Sequence, residues 1–137
     1  MKNRTLFGAL LLLFVMATMI SNVYAGWFYC KAIIYYAGVS DKYSIFNTSV
    51  AVYVAMRQAE IVNACIVFEM ADGIFDINVY NLLHTYILEY GNLTWILKND
   101  PVLVPTRQPH GGNATVYITV FANGLKQTFS TSKIKLF

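Results

Sequence analysis

The sequence predicts an all-β protein, a small antiparallel β-sandwich, and three observations carry that expectation. Two-residue turn signals recur between apolar runs, at Asp72-Gly73, Gly91-Asn92 and Asn123-Gly124. The runs they separate are rich in β-branched and aromatic residues, the types that fit a pleated, half-buried surface. Two cysteines, Cys30 and Cys65, would supply one staple in a small extracytoplasmic domain. Immunoglobulin-like topology is the common solution for such a chain, but its usual Cys…Trp…Cys order is absent. Trp27 precedes both cysteines and Trp95 follows both. The alternative is an α+β fold with one helix near residues 49–63.

The N-terminus has the three-part layout of a secretory leader. Lys2 and Arg4 are its charges, Leu6 to Ile20 is apolar or small for 15 residues, and Val23-Tyr24-Ala25 ends in a small residue. The run is shorter than the ~20 residues a spanning helix wants, so cleavage is expected rather than anchoring. Residues 1–25 are then a signal peptide, and 26–137 form a single secreted, β-rich domain without a stable membrane anchor. Removing Lys2 and Arg4 from ten basic residues leaves eight against seven acidic ones, a net charge of +1. That is no electrostatic footprint for nucleic acid.

Along the mature chain, Trp27 to Ala37 reads as a strand. Ser49 to Asn63 is ambiguous: Val50, Val52 and Val54 alternate as in a strand, whereas Ala55 to Glu60 holds good helix formers. Asp72-Gly73 predicts a hairpin pairing Met70 with Phe75, Phe68 with Ile77 and Ile66 with Val79. Glu69 then opposes Asp76. Asn78 to Tyr90 is open to a helix capped by Asp76, but a Gly91-Asn92 hairpin between Thr85–Tyr90 and Leu93–Lys98 fits the aromatic content better. Residues 99–113 contain all three prolines and read as one long exposed loop. Asn123-Gly124 fixes the last hairpin, with Ala122 opposite Leu125, Val120 opposite Gln127, Ile118 opposite Phe129 and Val116 opposite Thr131.

Cys30 and Cys65 are expected to form a disulfide closing a loop of about 35 residues, worth roughly 3–4 kcal/mol by chain entropy. Asn47, Asn92 and Asn113 each open an Asn-x-Ser/Thr glycosylation sequon, and all three fall where loops are expected. The C-terminal stretch is basic, with Lys98, Arg107, Lys126, Lys133 and Lys135 against Asp100 alone. Lysines of this kind keep an edge strand soluble.

Catalytic signatures are missing from the sequence. His110-Gly111-Gly112 resembles an oxyanion loop only faintly, without a Gly-x-Ser-x-Gly elbow anywhere in the chain. Glu69, Asp72 and Asp76 do not have the spacing of a calcium loop, and no metal or cofactor is expected. The reading that remains is a secreted, glycosylated, non-enzymatic protein that binds an extracellular protein or glycan. Its candidate binding loop carries Arg107, Gln108 and His110. The alternative is an extracellular carrier of a small apolar ligand, motivated by the Phe, Tyr, Ile and Leu content.

Overall fold

A computed structural model describes residues 19–24, 27–55, 59–87 and 93–136, with side chains described outside 19–24 and 84–99. Among the described residues ten strands form two antiparallel sheets. In chain order they are β1 (Met19–Tyr24), β2 (Phe28–Ser40), β3 (Tyr43–Val54), β4 (Glu60–Met70), β5 (Gly73–Asn78), β6 (His84–Ile87), β7 (Leu93–Val104), β8 (Asn113–Ala122), β9 (Leu125–Ser130) and β10 (Ile134–Lys135). One sheet has the order β1-β2-β3-β7-β6. The other runs β10-β8-β4-β5, with β9 also paired to β8. The all-β sandwich expectation is met, and the described residues contain no α-helix, only a 3-10 turn at Tyr80–Leu82.

Each long strand alternates between the interior and the outside, as a period of two requires. From β2 and β3 come Phe28, Ala32, Ile34, Phe46, Val50, Val52 and Val54, all buried. Ile61, Ala64, Ile66 and Phe68 of β4 and Ala114, Val116, Ile118 and Val120 of β8 face them. Aromatic rings join the layers: Phe46 meets Phe68 at 5.1 Å, and Phe28 stacks on Phe129 at 4.1 Å. Bulges interrupt the ladders at Tyr36/Gly38 and at Ile61/Asn63, where one strand carries an extra residue.

The Asn123-Gly124 hairpin forms in the expected register, from Ala122 opposite Leu125 to Ile118 opposite Phe129. Both turn residues have positive φ, 53° and 76°, as a type I′ turn demands. The ladder continues through the Thr131 N–H, which donates to the Val116 carbonyl at 3.0 Å.

Four other expectations change. At the Asp72 turn, Met70 pairs with Gly73, Phe68 with Phe75 and Ile66 with Ile77, a slip of two residues along β5. A slip of two keeps every side chain on its face. It sets Ile74 rather than Asp76 opposite Glu69, so the like charges are no longer directly paired. Residues 84–87 do pair with 93–96, choosing strand over helix, but Ile87 lies opposite Leu93. The connection is thus longer than the two-residue turn expected, and Gly91 and Asn92 lie outside the described residues. The ambiguous 49–63 stretch continues β3 to Val54 and enters β4 at Glu60; its best helix formers include 56–58, which are outside the described residues.

The expected 99–113 loop shrinks to 105–112. Its first residues extend β7, and Val102 and Val104 are buried in the core. Pro101 sits in that strand opposite Asn47. β6 pairs with β7 only as far as Ile96, so among the described residues Pro101 lies where β7 has a single neighbour, the edge position a strand proline tolerates. Apolar alternation outweighs the proline here.

Candidate binding loop

The segment 105–112 joins β7 of one sheet to β8 of the other, and it is fastened at both ends. Just past Val104, the Thr106 N–H donates to the Val104 carbonyl at 2.7 Å, turning the chain around Pro105. Ser44, on the inner side of β3, donates its hydroxyl to the Thr106 carbonyl at 2.8 Å. Both residues are buried, so this bond satisfies polar groups that water cannot reach.

Asp72 supplies the main brace. It lies in the β4–β5 turn of the opposite sheet. Its Oδ1 accepts the Thr106 hydroxyl at 2.6 Å and its Oδ2 accepts the Arg107 N–H at 3.0 Å. Thr106 Oγ1 in turn accepts the Gln108 N–H at 3.1 Å. The Thr106 hydroxyl and then the Arg107 amide hold the Asp72 carboxyl below the usual carboxylate range. One side chain thereby ties two sheets together at this end of the sandwich.

The far end of the loop is set by packing. Gly112 lies so close to β4 that an added Cβ would meet Met70 Sδ and stand 2.7 Å from the Glu69 carbonyl oxygen. The Gly112 carbonyl accepts the Leu136 N–H at 2.7 Å, which brings in the C-terminal strand region. Between these anchors Arg107, Gln108 and His110 are exposed. The His110 ring stands edge-on to Tyr36, centroids 5.0 Å apart.

Beside the loop is an open recess of about 380 Å³, lined by Val39, Asp41, Lys42, Ser44, Thr106, Arg107 and Pro109. The β2–β3 turn, Asp41-Lys42, forms its other wall. Asp41 takes a φ of 55° there, a conformation aspartate tolerates. The recess offers two cations, one carboxylate and an apolar floor contribution from Val39 and Pro109. This mixture can grip a polar group on a larger partner.

The three expected loop residues therefore share one exposed end of the molecule. Asp72, Thr106, Ser44 and Lys42 complete the site, and none was singled out for it in the sequence. Asp72 and Thr106 are 34 residues apart; only the packing of the two sheets reveals their pairing.

The expected Cys30–Cys65 bridge is not formed, because both cysteines are free. Cys30 points into the interior from β2 and is fully buried. Cys65 lies on β4 between inward-facing Ala64 and Ile66, so it points away from that interior. Packed sheets stand about 10 Å apart, and a disulfide wants Cα atoms within about 7 Å and converging Cβ vectors. Burial pushes the Cys30 thiol up to about 12. Burial, then the charge and hydrogen bond of Asp76, push Cys65 up to about 11.

The sequons are placed unevenly. Asn47 lies within β3, not in a loop, and its Nδ2 donates to the Tyr35 hydroxyl at 3.2 Å. Asn113 is the half-buried first residue of β8. Asn92 lies outside the described residues. The acidic trio separates: Asp72 serves the loop, Asp76 bonds Cys65, and Glu69 pairs with Lys133 at 3.3 Å. Among the described residues no group of three His, Cys, Asp or Glu could hold a metal ion. No helix among them is long and apolar enough to cross a membrane.

Tyr29, Tyr35 and Tyr53 share the outer face of the first sheet with Ile33 and Ile45. The Tyr29 and Tyr53 rings lie 5.8 Å apart, and Tyr53 and Leu103 are exposed. No family model, curated protein or solved structure matches the chain.

Proposed function

We propose that this chain is a secreted, non-enzymatic binding protein, glycosylated on its sequons, that engages an extracellular protein or glycan through the 105–112 loop. One observation carries the reading: the bridge from Asp72 to Thr106 and Arg107. A loop braced from the opposite sheet has already lost its conformational freedom, so binding has less ordering to offset. Its exposed groups suit recognition. Arg107 brings a donor fork matched to carboxylates, Gln108 brings an amide, and His110 with Tyr36 brings aromatic surface.

We further read the fold as immunoglobulin-like in connectivity. If β1 leaves with the leader, and with the two-residue β10 beside the start of β8 set aside, the order is β2-β3-β7-β6 over β5-β4-β8-β9. That is the ABED-over-C′CFG pattern of such sandwiches, with β2 as their first strand. The carrier alternative has no comparable support. The space between the sheets is filled by Phe28, Phe46, Phe68 and their aliphatic neighbours.

The test is a binding screen of the secreted protein against arrayed extracellular domains and glycans. Each hit is repeated with residues 107–110 replaced by a Gly-Ser segment of equal length. Loss of binding with an unchanged melting temperature is expected. Full binding by the replaced variant to every hit would remove the loop from the site.

A further inference from the structure

We propose that the edge of β2 is a self-association site, taken by the β2 strand of a second copy once the leader has been removed. The inference rests on the secretory reading above. In the full chain β1 lies antiparallel along this edge, from Met19 opposite Ile34 to Tyr24 opposite Tyr29. Cleavage after Ala25 takes β1 away entirely. The backbone N–H and C=O groups of residues 29–34 that face β1 then have no strand beside them.

An open strand edge invites pairing with another chain unless something blunts it. The other described edges are blunted, and β10, at the end of the second sheet, is only two residues long. β9 is almost wholly exposed and polar, with Lys126, Gln127, Thr128 and Ser130. β5 is only six residues long and carries Asp76 and Asn78. β6 has four residues, and the open part of β7 contains Pro101. Over Phe28–Tyr36, β2 has no proline and a single charge, Lys31. Its bulge, at Tyr36/Gly38, comes after the segment that β1 covers.

The edge also matches itself. Tyr29, Lys31, Ile33 and Tyr35 face outward, and Cys30, Ala32 and Ile34 face the interior. Residues directly opposite in an antiparallel pair share a face, so a two-fold axis must pass through a residue rather than between two. Centring the axis on Lys31 would set that lysine against its own copy. Centring it on Ala32 avoids the clash. Lys31 then lies opposite Ile33 of the second copy, Cys30 opposite Ile34, and Tyr29 opposite Tyr35. This register spans residues 29–35, nearly the footprint of β1. It restores a strand beside each β2 and joins the two tyrosine faces into one aromatic surface. A net charge of +1 on the mature chain opposes association little.

The experiment is intact mass spectrometry and analytical ultracentrifugation of the protein secreted from eukaryotic cells. Expected are a chain beginning at Gly26 and a sedimenting mass of two chains. Ile33→Lys places two Lys–Lys contacts across the axis and should raise the dissociation constant by about tenfold. Adding Lys31→Glu to that variant converts both contacts to ion pairs and should restore dimerisation, which a misfolded variant would not do. A monomer beginning at Gly26 overturns the proposal and leaves the secretory reading standing. So does a dimer indifferent to Ile33→Lys. A cleaved, secreted chain that still begins before Met19 keeps β1 on the edge and overturns the proposal alone. A secreted or retained chain with residues 1–25 intact overturns both.

Discussion

Asp72 is the residue on which the candidate site depends most. Its carboxylate accepts two hydrogen bonds from the loop where the chain leaves the other sheet. Those bonds favour the ionised form, which is why its pKa is lowered from the ordinary 3.8. The sign follows directly. A carboxyl depressed in the folded state contributes its stabilisation in full above the unfolded value, and loses it as pH falls through the folded value. The loop should therefore loosen only below about pH 3.8. In an NMR titration the Arg107 amide should shift with an apparent pKa under 3.8. In Asp72→Asn that titration should vanish, because the amide carries no proton to lose in this range. The variant should also lose part of its partner binding at neutral pH, since only one of its two terminal atoms accepts, so the Thr106 hydroxyl and the Arg107 N–H are no longer each met by an oxygen of their own. A wild-type Arg107 amide that ignores pH from 5 to 2 would show that the brace does not operate in solution. The sequence marked Asp72 as a turn residue and Arg107, Gln108 and His110 as an exposed group. The link between them depends on how two sheets face each other, which local pattern does not encode.

At the scale of elements, turn chemistry decided how much register was legible. Asn123-Gly124 places positive-φ residues at both turn positions, so it fixed the pairing of β8 with β9 residue by residue. At the Asp72 turn, Ala71-Asp72 form the corner instead, and Gly73, with φ of 152°, opens β5. Three forces favour that slip: Asp72 reaches the loop, Glu69 escapes Asp76, and Phe68 pairs with Phe75. None of the three can be seen in a dipeptide. Proline misleads in the other direction: Pro101 suggests a loop, yet it lies in a part of β7 that, among the described residues, pairs only with β3. The β8–β9 turn yields a prediction of its own. Gly124 adopts φ of 76° with open space where a Cβ would stand, so Gly124→Ala meets backbone strain and no clash. That strain costs about 1–2 kcal/mol, measurable as a lower urea midpoint with an unchanged slope. Asn123→Gly should cost far less, as it keeps the positive-φ requirement satisfied. Equal losses from the two substitutions would mean that the turn is not type I′.

For the whole molecule, the governing fact is that one sheet's inner face meets the other's, and everything else is turned outward. This parity was legible within each strand, because alternation is local. Which strands share a sheet was not, because that depends on pairings between residues far apart in the chain. The cysteines show the consequence most sharply. Two cysteines in an extracytoplasmic chain make a Cys30–Cys65 bridge the simplest expectation, yet the parity of β2 sends Cys30 inward while that of β4 sends Cys65 outward. A bridge would require one strand to slip by a residue, which would turn its whole apolar set to the wrong side. Two free thiols are therefore expected, with unequal reactivity. The thiolate is the nucleophile, so thiols raised to about 11 and about 12 are almost wholly protonated at pH 8. Iodoacetamide at pH 8 should label half-buried Cys65 slowly, and faster as pH rises. Cys30, lying beneath the sheet, should label at a rate set by opening of the fold. In denaturant without reductant both should be alkylated. A chain two hydrogens lighter that takes no label in denaturant would show the bridge after all. That result would require β2 or β4 to sit in a different register, and the packing of Ala32, Ile34, Ile66 and Phe68 against one another would have to be redrawn with it.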